Sequence, residues 1–267
     1  MIGIFDSGFG GLTVFKEIKK ALPNYSYLYL GDNLRAPYGD RSQEVIYQYA
    51  EEAVDFLFKQ GCELIILACN TASAEALKKL QQEWLPRHAP EKRILGVIRP
   101  LAEEAIKASR FGRIGVIGTK ATVESKAYQR ELKALNPGLK IFQQAAPLLV
   151  PLIEEGWLKT TATRMILKKY LRPLKDSQID TLILGCTHYP LLMKEFKQIV
   201  GQRIKVLDAP KIVAVKLIDY LQRHPEIEQK LGKQKTVRYL TTGSLEQFNH
   251  LASKFLGTEV KAEKVSL

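Results

Sequence analysis

The sequence is dominated by a regular alternation of short, wholly apolar segments with longer amphipathic ones. Leu64–Leu67 and Leu182–Leu184 are apolar at every position, which is typical of parallel strands that helices cover on both faces. Such an alternation predicts an α/β fold with doubly wound, mainly parallel sheets. The predicted strands are Ile2–Phe5, Tyr27–Leu30, Glu63–Ala68, Ile94–Val97, Arg113–Ile117, Leu139–Gln143, Thr181–Gly185, Ile204–Leu207 and Val237–Leu240, and the predicted helices are Gln43–Gln60, Ala72–Trp84, Val123–Leu135, Thr161–Leu171, Lys211–Gln222 and Leu245–Leu256.

Two parts of this pattern recur in the same order and at nearly the same spacing. Gly3–Ser7 resembles Gly115–Thr119, 112 residues later, and the apolar strand before Cys69 resembles the one before Cys186, 117 residues later. The repeat predicts two similar α/β domains with the active site in the cleft between them. The predicted domains are residues 1–97 plus 208–267, with Asp6 and Cys69, and residues 98–207, with Glu154, Cys186 and His188.

Composition and charge exclude several classes of protein. No apolar run reaches the about 18 residues that a membrane span needs, and Met1–Asp6 has no basic leader of the kind found in signal peptides. We therefore expect a cytoplasmic protein with no membrane partner. The net charge of +12 is spread along the chain without a nucleic-acid-binding motif, which predicts a basic surface that mildly attracts an anionic substrate, and no nucleic acid as primary partner. The oligomeric state stays open, a homodimer included.

The first glycine-rich segment, Gly8–Thr13, does not have the spacing of a nucleotide-binding loop. After Gly8 and Gly10, the third position of the dinucleotide fingerprint is Thr13, and the chain has no phosphate-loop Gly-Lys-Ser/Thr. Its glycines favour a tight turn and a close approach of the backbone to a ligand. Because the histidines also lack metal-ligand spacing, we expect no nucleotide, no metal and no other cofactor.

Two of the three cysteines follow predicted strands and precede predicted helix starts. Backbone N–H groups at a helix start favour an anion, so we expect lowered thiol pKa values at Cys69 and Cys186. Two thiols in equivalent places suit a symmetric reaction such as racemisation, in which one group removes a proton from Cα and the other delivers one to the opposite face. Asp6 and His188 could relay these protons. Cys62, at a helix–strand turn, is expected to be structural, and no paired spacing predicts a disulfide.

Taken together, the polar motifs at the strand ends resemble those of the bacterial glutamate racemases, and the resemblance covers nearly the whole chain. Any one motif is weak evidence, but their order along the chain is highly specific. The motifs are Phe5-Asp6-Ser7-Gly8-x-Gly10-Gly11, Pro37-Tyr38-Gly39, Ala68-Cys69-Asn70-Thr71-Ala72, Gly115-Val116-Ile117-Gly118-Thr119, Pro151-Leu152-x-Glu154-Glu155-Gly156 and Leu184-Gly185-Cys186-Thr187-His188-Tyr189-Pro190-Leu191.

The resemblance implies the interconversion of L- and D-glutamate without pyridoxal phosphate, which supplies D-glutamate to peptidoglycan. By position, Cys69 and Cys186 match the two acid/base thiols of the family, of which the first serves D-glutamate and the second L-glutamate. Asp6, Glu154 and His188 match the residues that assist these thiols. The positions that match substrate contacts are Asp6, Ser7, Tyr38, Gly39, Asn70, Thr71, Thr187 and His188.

Two segments depart from the family pattern. Where family members commonly read Gly-Asp-Thr-Ala-Arg, residues 31–35 read Gly-Asp-Asn-Leu-Arg. Where many read Gly-Val-Ile-Glu-Pro-Gly, residues 96–101 read Gly-Val-Ile-Arg-Pro-Leu, so that Arg99 replaces an acid at the inferred hinge. Neither departure removes a thiol or a predicted substrate contact.

Two alternatives stay open at the level of sequence. One is a related two-thiol enzyme that acts on aspartate, a hydantoin or a substituted malonate, against which the motif Cys186–Pro190 favours glutamate. The other is a non-catalytic binding protein on the same scaffold, with nucleic acid held by the positive charge. The first predicts racemisation of aspartate in preference to glutamate. The second predicts salt-sensitive DNA binding and a role that survives replacement of the cysteines.

Overall fold

The computed structural model describes residues 1–267, which form two wholly parallel sheets with helices packed on their faces. The strands are β1 (Ile2–Asp6), β2 (Tyr27–Gly31), β3 (Leu64–Leu67), β4 (Arg93–Gly96), β5 (Arg113–Gly118), β6 (Lys140–Ala145), β7 (Thr181–Gly185), β8 (Lys205–Val206), β9 (Val237–Thr241) and β10 (Ala262–Lys264). The first sheet has the order β10-β9-β2-β1-β3-β4, and the second has the order β6-β5-β7-β8. The predicted α/β fold with parallel sheets is confirmed.

The two sheets repeat one strand order. The run β2-β1-β3-β4 in the first sheet corresponds to β6-β5-β7-β8 in the second. The repeat seen in the sequence therefore falls on equivalent strands, with β1 matching β5 and β3 matching β7. Cys69 follows the end of β3 by two residues, and Cys186 directly follows β7. The two thiols thus stand at topologically equivalent points.

Helices lie between consecutive strands, as parallel connections require. No helix combines the length and apolar character needed to cross a lipid bilayer. A π-helical turn spans Leu80–Trp84 and a 3-10 turn spans Tyr189–Leu192. The α-helices are α1 (Leu12–Ala21), α2 (Gln43–Lys59), α3 (Asn70–Glu75), α4 (Leu77–Lys79), α5 (Leu85–His88), α6 (Ile98–Ala108), α7 (Lys120–Glu124), α8 (Ala127–Leu135), α9 (Leu149–Glu154), α10 (Thr161–Asp176), α11 (Met193–Val200), α12 (Ala209–Arg223), α13 (Pro225–Glu228) and α14 (Leu245–Leu256).

Several elements were not assigned from the sequence. Helix α1 continues directly from the glycine turn and buries Phe15 and Ile18 on its apolar face. The predicted helix Val123–Leu135 is divided, because Lys126 adopts the left-handed conformation with φ of 56° between α7 and α8. Strand β10 has only three residues and no apolar pattern, so periodicity could not reveal it.

Helices α6 and α12 lie where the chain passes from one sheet to the other. Helix α12 buries Val213 in the core of the first sheet, and α6 buries Leu101 against the second sheet. The two helices also contact each other. Here Arg99 Nε lies 3.0 Å from Glu103 Oε1, and Lys216 Nζ lies 2.6 Å from Glu103 Oε2. The ion pair of Lys216 thus joins the two helices across the hinge inferred from the sequence.

Candidate active site between the two sheets

A cavity of about 320 Å³ is lined by loops that follow strands of both sheets. The carboxyl ends of parallel strands are where open α/β sheets bind ligands. The volume is near the lower end of the roughly 300–1,000 Å³ of small-molecule sites, so it suits one small molecule rather than a nucleotide. The predicted site residues that it brings together are Ser7, Tyr38, Gly39, Cys69, Asn70, Thr71, Glu154, Cys186, Thr187 and His188.

Cys69 occupies the N-cap position of α3 and is only 5 % exposed. Its Sγ accepts a hydrogen bond from Ala72 N at 3.5 Å and lies 3.4 Å from Ser7 Oγ. The strand β3 before it is wholly apolar, so the chain emerges from the core at this residue. The sulfur therefore faces the cavity with one neighbour from its own helix and one from the turn after β1.

The prediction that the helix start lowers the thiol pKa is wrong for Cys69. The pKa of Cys69 is raised to about 12, mainly by burial and secondly by the Asp6 carboxylate. Hydrogen bonds from Ser7 and Ala72 lower the pKa, but by less. Helix α3 has only six residues, and one N–H at 3.5 Å does not replace the hydration that a thiolate loses on burial. Cys69 is thus a protonated thiol at neutral pH and can donate a proton.

Cys186, His188 and Glu154 form a chain of polar contacts on the side of the second sheet. His188 Nδ1 lies 3.8 Å from Cys186 Sγ, and His188 Nε2 lies 3.0 Å from Glu154 Oε1. Burial lowers the pKa of His188, but the hydrogen bonds to Cys186 and Glu154 outweigh burial and raise the pKa to about 10. His188 is therefore an imidazolium at neutral pH, in position to exchange a proton with Cys186.

Asp6 lies behind the cavity wall and does not line the cavity. Its carboxylate is fully buried, with Oδ2 accepting from Gly8 N at 3.0 Å and Oδ1 accepting from Thr187 Oγ1 at 3.3 Å. Burial raises the pKa of Asp6, although the charge of His188 and these hydrogen bonds oppose the rise. Asp6 thus connects the turn after β1 with the segment after β7, and it has no direct access to a molecule in the cavity.

Asn70 and Thr71 are held by side chains that follow β5. Tyr128 Oη donates to Asn70 Oδ1 at 2.6 Å. Thr71 Oγ1 lies 2.9 Å from Thr119 Oγ1 and 3.2 Å from Thr122 Oγ1. Because Asn70 and Thr71 follow β3 of the first sheet, these contacts cross between the two halves of the molecule and fix the orientation of polar groups that line the cavity.

Tyr38 lines the cavity, but its hydroxyl is engaged elsewhere. Tyr38 Oη donates to the buried carboxylate of Asp32, which also accepts from Arg35 Nε at 2.6 Å. The pKa of Tyr38 is raised, mainly by burial and secondly by the charge of Asp32. The neighbouring Gly39 accepts a hydrogen bond on its carbonyl oxygen from Ala121 N at 2.9 Å. These bonds fix the loop after β2 against the second sheet.

Six polar residues that the sequence analysis did not select as site residues also line the cavity: Asn33, Asp40, Thr119, Lys120, Glu155 and Gln247. Thr119 could have been found from the sequence, because it is the counterpart of Ser7 in the repeat, 112 residues later. The other five have no such counterpart in the repeat. Gln247 belongs to α14, which is distant in sequence from every motif and reaches the cavity only through the fold.

Cys62 lies away from this cavity. It stands between α2 and β3, fully buried in an apolar cluster of the first sheet. Burial raises the pKa of Cys62 to about 12. This placement agrees with the structural role expected from its position at a helix–strand turn.

The sequence of this chain matches a known protein family over most of its length. Residues 2–217 match the family model Asp/Glu/hydantoin racemase. The chain is 42% identical to a glutamate racemase of Desulforudis audaxviator, over 97% of this chain and 94% of that protein.

Solved structures agree with this match. A glutamate racemase of Bacillus anthracis superposes with a TM-score of 0.92 at 38% identity, over 100% of this chain and 97% of that one. A glutamate racemase of Francisella tularensis, solved in complex with D-glutamate, gives 0.89 at 33% identity, over 99% and 97%. The chain belongs to the Asp/Glu/hydantoin racemase family.

Proposed function

We propose that this chain interconverts L- and D-glutamate without a cofactor, with Cys69 and Cys186 as the two acid/base groups. The observation that carries the proposal is that these two cysteines, at equivalent strand ends of two sheets, line one small cavity. Racemisation needs a proton acceptor on one face of Cα and a proton donor on the other. Relatives that are 42% and 33% identical and are named glutamate racemases support glutamate as the substrate.

The proposed reaction consists of two proton transfers. From L-glutamate, the Cys186 thiolate takes the proton of Cα, and the electron pair of the broken C–H bond passes into the adjacent carboxylate group. The Cys69 thiol then gives its proton to the opposite face of Cα. One C–H bond breaks and one forms, so no oxidant, reductant or co-reactant is needed. The two thiols exchange roles in the reverse direction.

The surroundings of the two cysteines differ in a way that suits their proposed roles. Cys69 is a thiol with its pKa raised to about 12, which suits the donor in the direction from L to D. Cys186 stands beside the imidazolium of His188, which stabilises a negative charge nearby. In the reverse direction Cys69 must lose its proton, and the ammonium group of a bound substrate supplies a positive charge that favours this loss. His188 serves as the proton relay, and Asp6 acts through its charge and its contact with Thr187.

Other groups that line the cavity suit a dicarboxylate. Lys120 and His188 carry positive charge, and Ser7, Asn70 and Thr71 offer uncharged donors. Asp40, Glu154 and Glu155 are also in the lining, and Glu154 is paired with His188. Fixed donors near the α-carboxylate stabilise the charge that develops as Cα loses its proton. Enclosure between the sheets limits the water that could otherwise trade protons with the intermediate.

We further propose that the chain divides into residues 1–97 plus 208–267 and residues 98–207. Each set contains one whole sheet. The chain crosses between the sets at the starts of α6 and α12, which contact each other. Relative motion of the two sets about this contact would admit the substrate and then close over it.

The proposed location is the cytoplasm, where D-glutamate would be supplied for peptidoglycan. The support is chemical, because the mechanism needs Cys69 and Cys186 as free thiols, and the three cysteines form no disulfide. A reducing compartment keeps such thiols in the active state.

The test uses the purified protein with L-glutamate in D₂O and no added cofactor. Chiral chromatography measures the D-glutamate formed, and mass spectrometry measures deuterium at Cα. Cys69→Ser and Cys186→Ser should each lower turnover roughly 100-fold or more, because a positioned acid or base contributes about 10²–10⁴-fold. Cys62→Ser is the matched control and should keep nearly normal activity, since Cys62 does not line the cavity.

Two results would contradict the proposal. Near-normal turnover in either cavity variant excludes the two-thiol mechanism, provided that circular dichroism shows the variant to be folded. A parallel assay with aspartate tests the substrate, and faster turnover of aspartate than of glutamate assigns the enzyme to the other two-thiol class.

A further inference from the structure

The turn between β1 and α1 presses closely against the segment that carries Cys186. A methyl group added to Gly10 would lie 2.6 Å from His188 Nδ1 and 2.8 Å from His188 Cε1, and closer still to Thr187 Oγ1. The backbone of Gly10 does not have a positive φ. Glycine is thus needed at this position because of its neighbours across the cleft, and not because of its own backbone conformation.

Thr13, the residue that breaks the nucleotide-loop pattern, makes a second contact from the same turn. Its Oγ1 lies 2.9 Å from Gly10 O and 2.9 Å from Thr187 O. One hydroxyl proton serves one of these carbonyl groups at a time. Since Gly10 O belongs to the same turn, the hydroxyl keeps an acceptor whether or not Thr187 is within reach. This contact across the cleft can therefore form and break without leaving the hydroxyl of Thr13 unsatisfied.

A third contact comes from Asp6, whose Oδ1 accepts from Thr187 Oγ1 at 3.3 Å. Thr187, in the segment after β7, is therefore held through its hydroxyl group and through its carbonyl oxygen. The same segment also fits closely against Gly10. His188, the next residue, lies 3.8 Å from Cys186 Sγ through its Nδ1. The turn of Gly10 and Thr13 thus contacts the two residues that follow Cys186, of which His188 is the neighbour of its sulfur.

We propose that Gly10 and Thr13 are positioning residues for the proton transfer at Cys186. They fix Thr187 and His188 against the first sheet, and through them the distance between Cys186 and the substrate carbon. The inference rests on the proposed function. It assigns to the turn of Gly10 and Thr13 an effect on the proton transfer at Cys186, and not on the transfer at Cys69. Cys69 touches the same turn only through Ser7, and neither Gly10 nor Thr13 contacts it, because their contacts go to Thr187 and His188.

Rates alone cannot reveal which transfer is affected. The two enantiomers have equal free energy in solution, so any variant must change kcat/KM equally in both directions. Isotope effects do separate the two sides. If the transfer at Cys186 becomes limiting, deuterium at Cα of L-glutamate slows the reaction more than in the wild type. Deuterium at Cα of D-glutamate then slows it less, because Cys69 removes that proton in a step that no longer limits turnover.

The first experiment compares Gly10→Ala, Thr13→Val and Thr13→Ser with the wild type. Thr13→Val keeps the shape of the side chain and removes the hydroxyl, and we expect roughly a tenfold lower kcat. Gly10→Ala should lose roughly 100-fold, since a small displacement of a reacting group has effects of this order. In both variants the isotope effect should rise with L-[2-²H]glutamate and fall with D-[2-²H]glutamate. Thr13→Ser retains the hydroxyl and should restore the wild-type values.

The second experiment needs no activity. NMR titration of the four histidines follows the pKa of His188, which is about 10 in the wild type because of Cys186 and Glu154. Gly10→Ala displaces the ring from these partners, so its pKa should fall, while the other three histidines keep theirs. Circular dichroism and Tm show whether each variant is folded.

Unchanged isotope effects and an unchanged His188 titration in the folded Gly10→Ala and Thr13→Val variants would overturn the inference. An equal change of both isotope effects would also overturn it, because it would mean a general loss of closure. Failure of the wild type to racemise glutamate contradicts the proposed function instead, and the NMR titration still decides whether this turn positions His188.

Discussion

His188 Nε2 lies 3.0 Å from Glu154 Oε1, on the side of the ring opposite to Cys186. Glu154 is 39 % exposed at its side chain, whereas His188 is 7 % exposed. A carboxylate at the surface thus helps to keep a buried imidazole protonated, and the imidazolium in turn stands beside the sulfur. The negative charge of Glu154 can therefore influence the proposed proton transfer at Cys186, because the ring of His188 contacts both residues.

Glu154→Gln tests this relationship through the pH dependence of racemisation. The glutamine keeps a hydrogen-bond acceptor but removes the negative charge, so the pKa of His188 should fall from about 10. The fall should be roughly one unit, since a partly exposed ion pair contributes about 1 kcal/mol and one pKa unit corresponds to about 1.4 kcal/mol. The alkaline limb of the kcat profile should move to lower pH by this amount.

The same pair makes a prediction about stability against pH. The folded-state pKa of His188 lies above its ordinary value of 6.5, so its contribution to stability is fully present below pH 6.5. It declines as the pH rises and is lost above about pH 10. Urea unfolding should show this decline in the wild type and less of it in Glu154→Gln. Identical profiles for the two proteins would refute the pairing.

Cys69 should react with iodoacetamide more slowly than an ordinary thiol. At pH 8 a thiol with a pKa of about 12 carries on the order of 10⁻⁴ thiolate, and the thiolate is the reactive form. The alkylation rate of Cys69, followed by mass spectrometry of its peptide, should still be rising at pH 10. The urea-unfolded protein is the control, and with an ordinary thiol pKa of about 8.5 its rate should approach a plateau at about pH 9.5.

Asp6→Asn provides the matched variant for this measurement. It removes the carboxylate that, after burial, does most to raise the pKa of Cys69, so Cys69 should be alkylated faster than in the wild type at pH 8. Cys62 reports on any general opening, because it is buried at a distance from the cavity. A rate at Cys69 that levels off at the same pH as in the urea-unfolded protein would show that its pKa is not raised.

Thr119→Val should weaken substrate binding. The substitution removes a hydroxyl group that lines the cavity and lies 2.9 Å from Thr71 Oγ1. We expect KM for glutamate to rise roughly fivefold, with a smaller change in kcat, on the basis of about 1 kcal/mol for a hydrogen bond lost. Thr119 also caps α7 by accepting from Thr122 N at 3.3 Å, which should cost about 1 kcal/mol of folding stability. Thr119→Ser retains both contacts and should leave KM unchanged.

Arg99→Glu should destabilise this chain. Arg99 pairs with Glu103 at 3.0 Å and with Glu131 at 3.2 Å, so a third carboxylate would replace the attraction by repulsion. We expect a loss of about 1 kcal/mol, or a Tm lower by roughly 2 °C, since such exposed pairs are weak. The loss should diminish in high salt.

Arg99→Gln serves as the control, because it removes the attraction without adding a charge. A Tm of Arg99→Glu equal to that of the wild type at low salt would mean that these pairs do not stabilise α6. Racemisation at saturating glutamate should be little affected in either variant, since Arg99 does not line the active-site cavity.

The fold could be predicted from local patterns, because wholly apolar strands such as β3 and β7 leave parallel, doubly covered sheets as the stable arrangement. The positions of Cys69 and Cys186 at strand ends were predicted for the same reason. Helix α1 was not assigned, because its glycine-rich start obscured its apolar face. Gln247 had no signal, because only the packing of α14 brings it to the cavity.

The sequence by itself determined the fold class, the repeat and the residue types at the strand ends, since these follow from neighbouring residues along the chain. The protonation of the Cys69 thiol was decided by tertiary structure. A helix start next to Cys69 favours the thiolate, but burial and the Asp6 carboxylate, 63 residues earlier in the chain, reverse this preference. Likewise, only folding brings Glu154 to His188 and Thr187 to Gly10. The loss of hydration and the nearby charges that set the pKa of a side chain act through space. The pKa therefore depends on which distant segments the fold brings together.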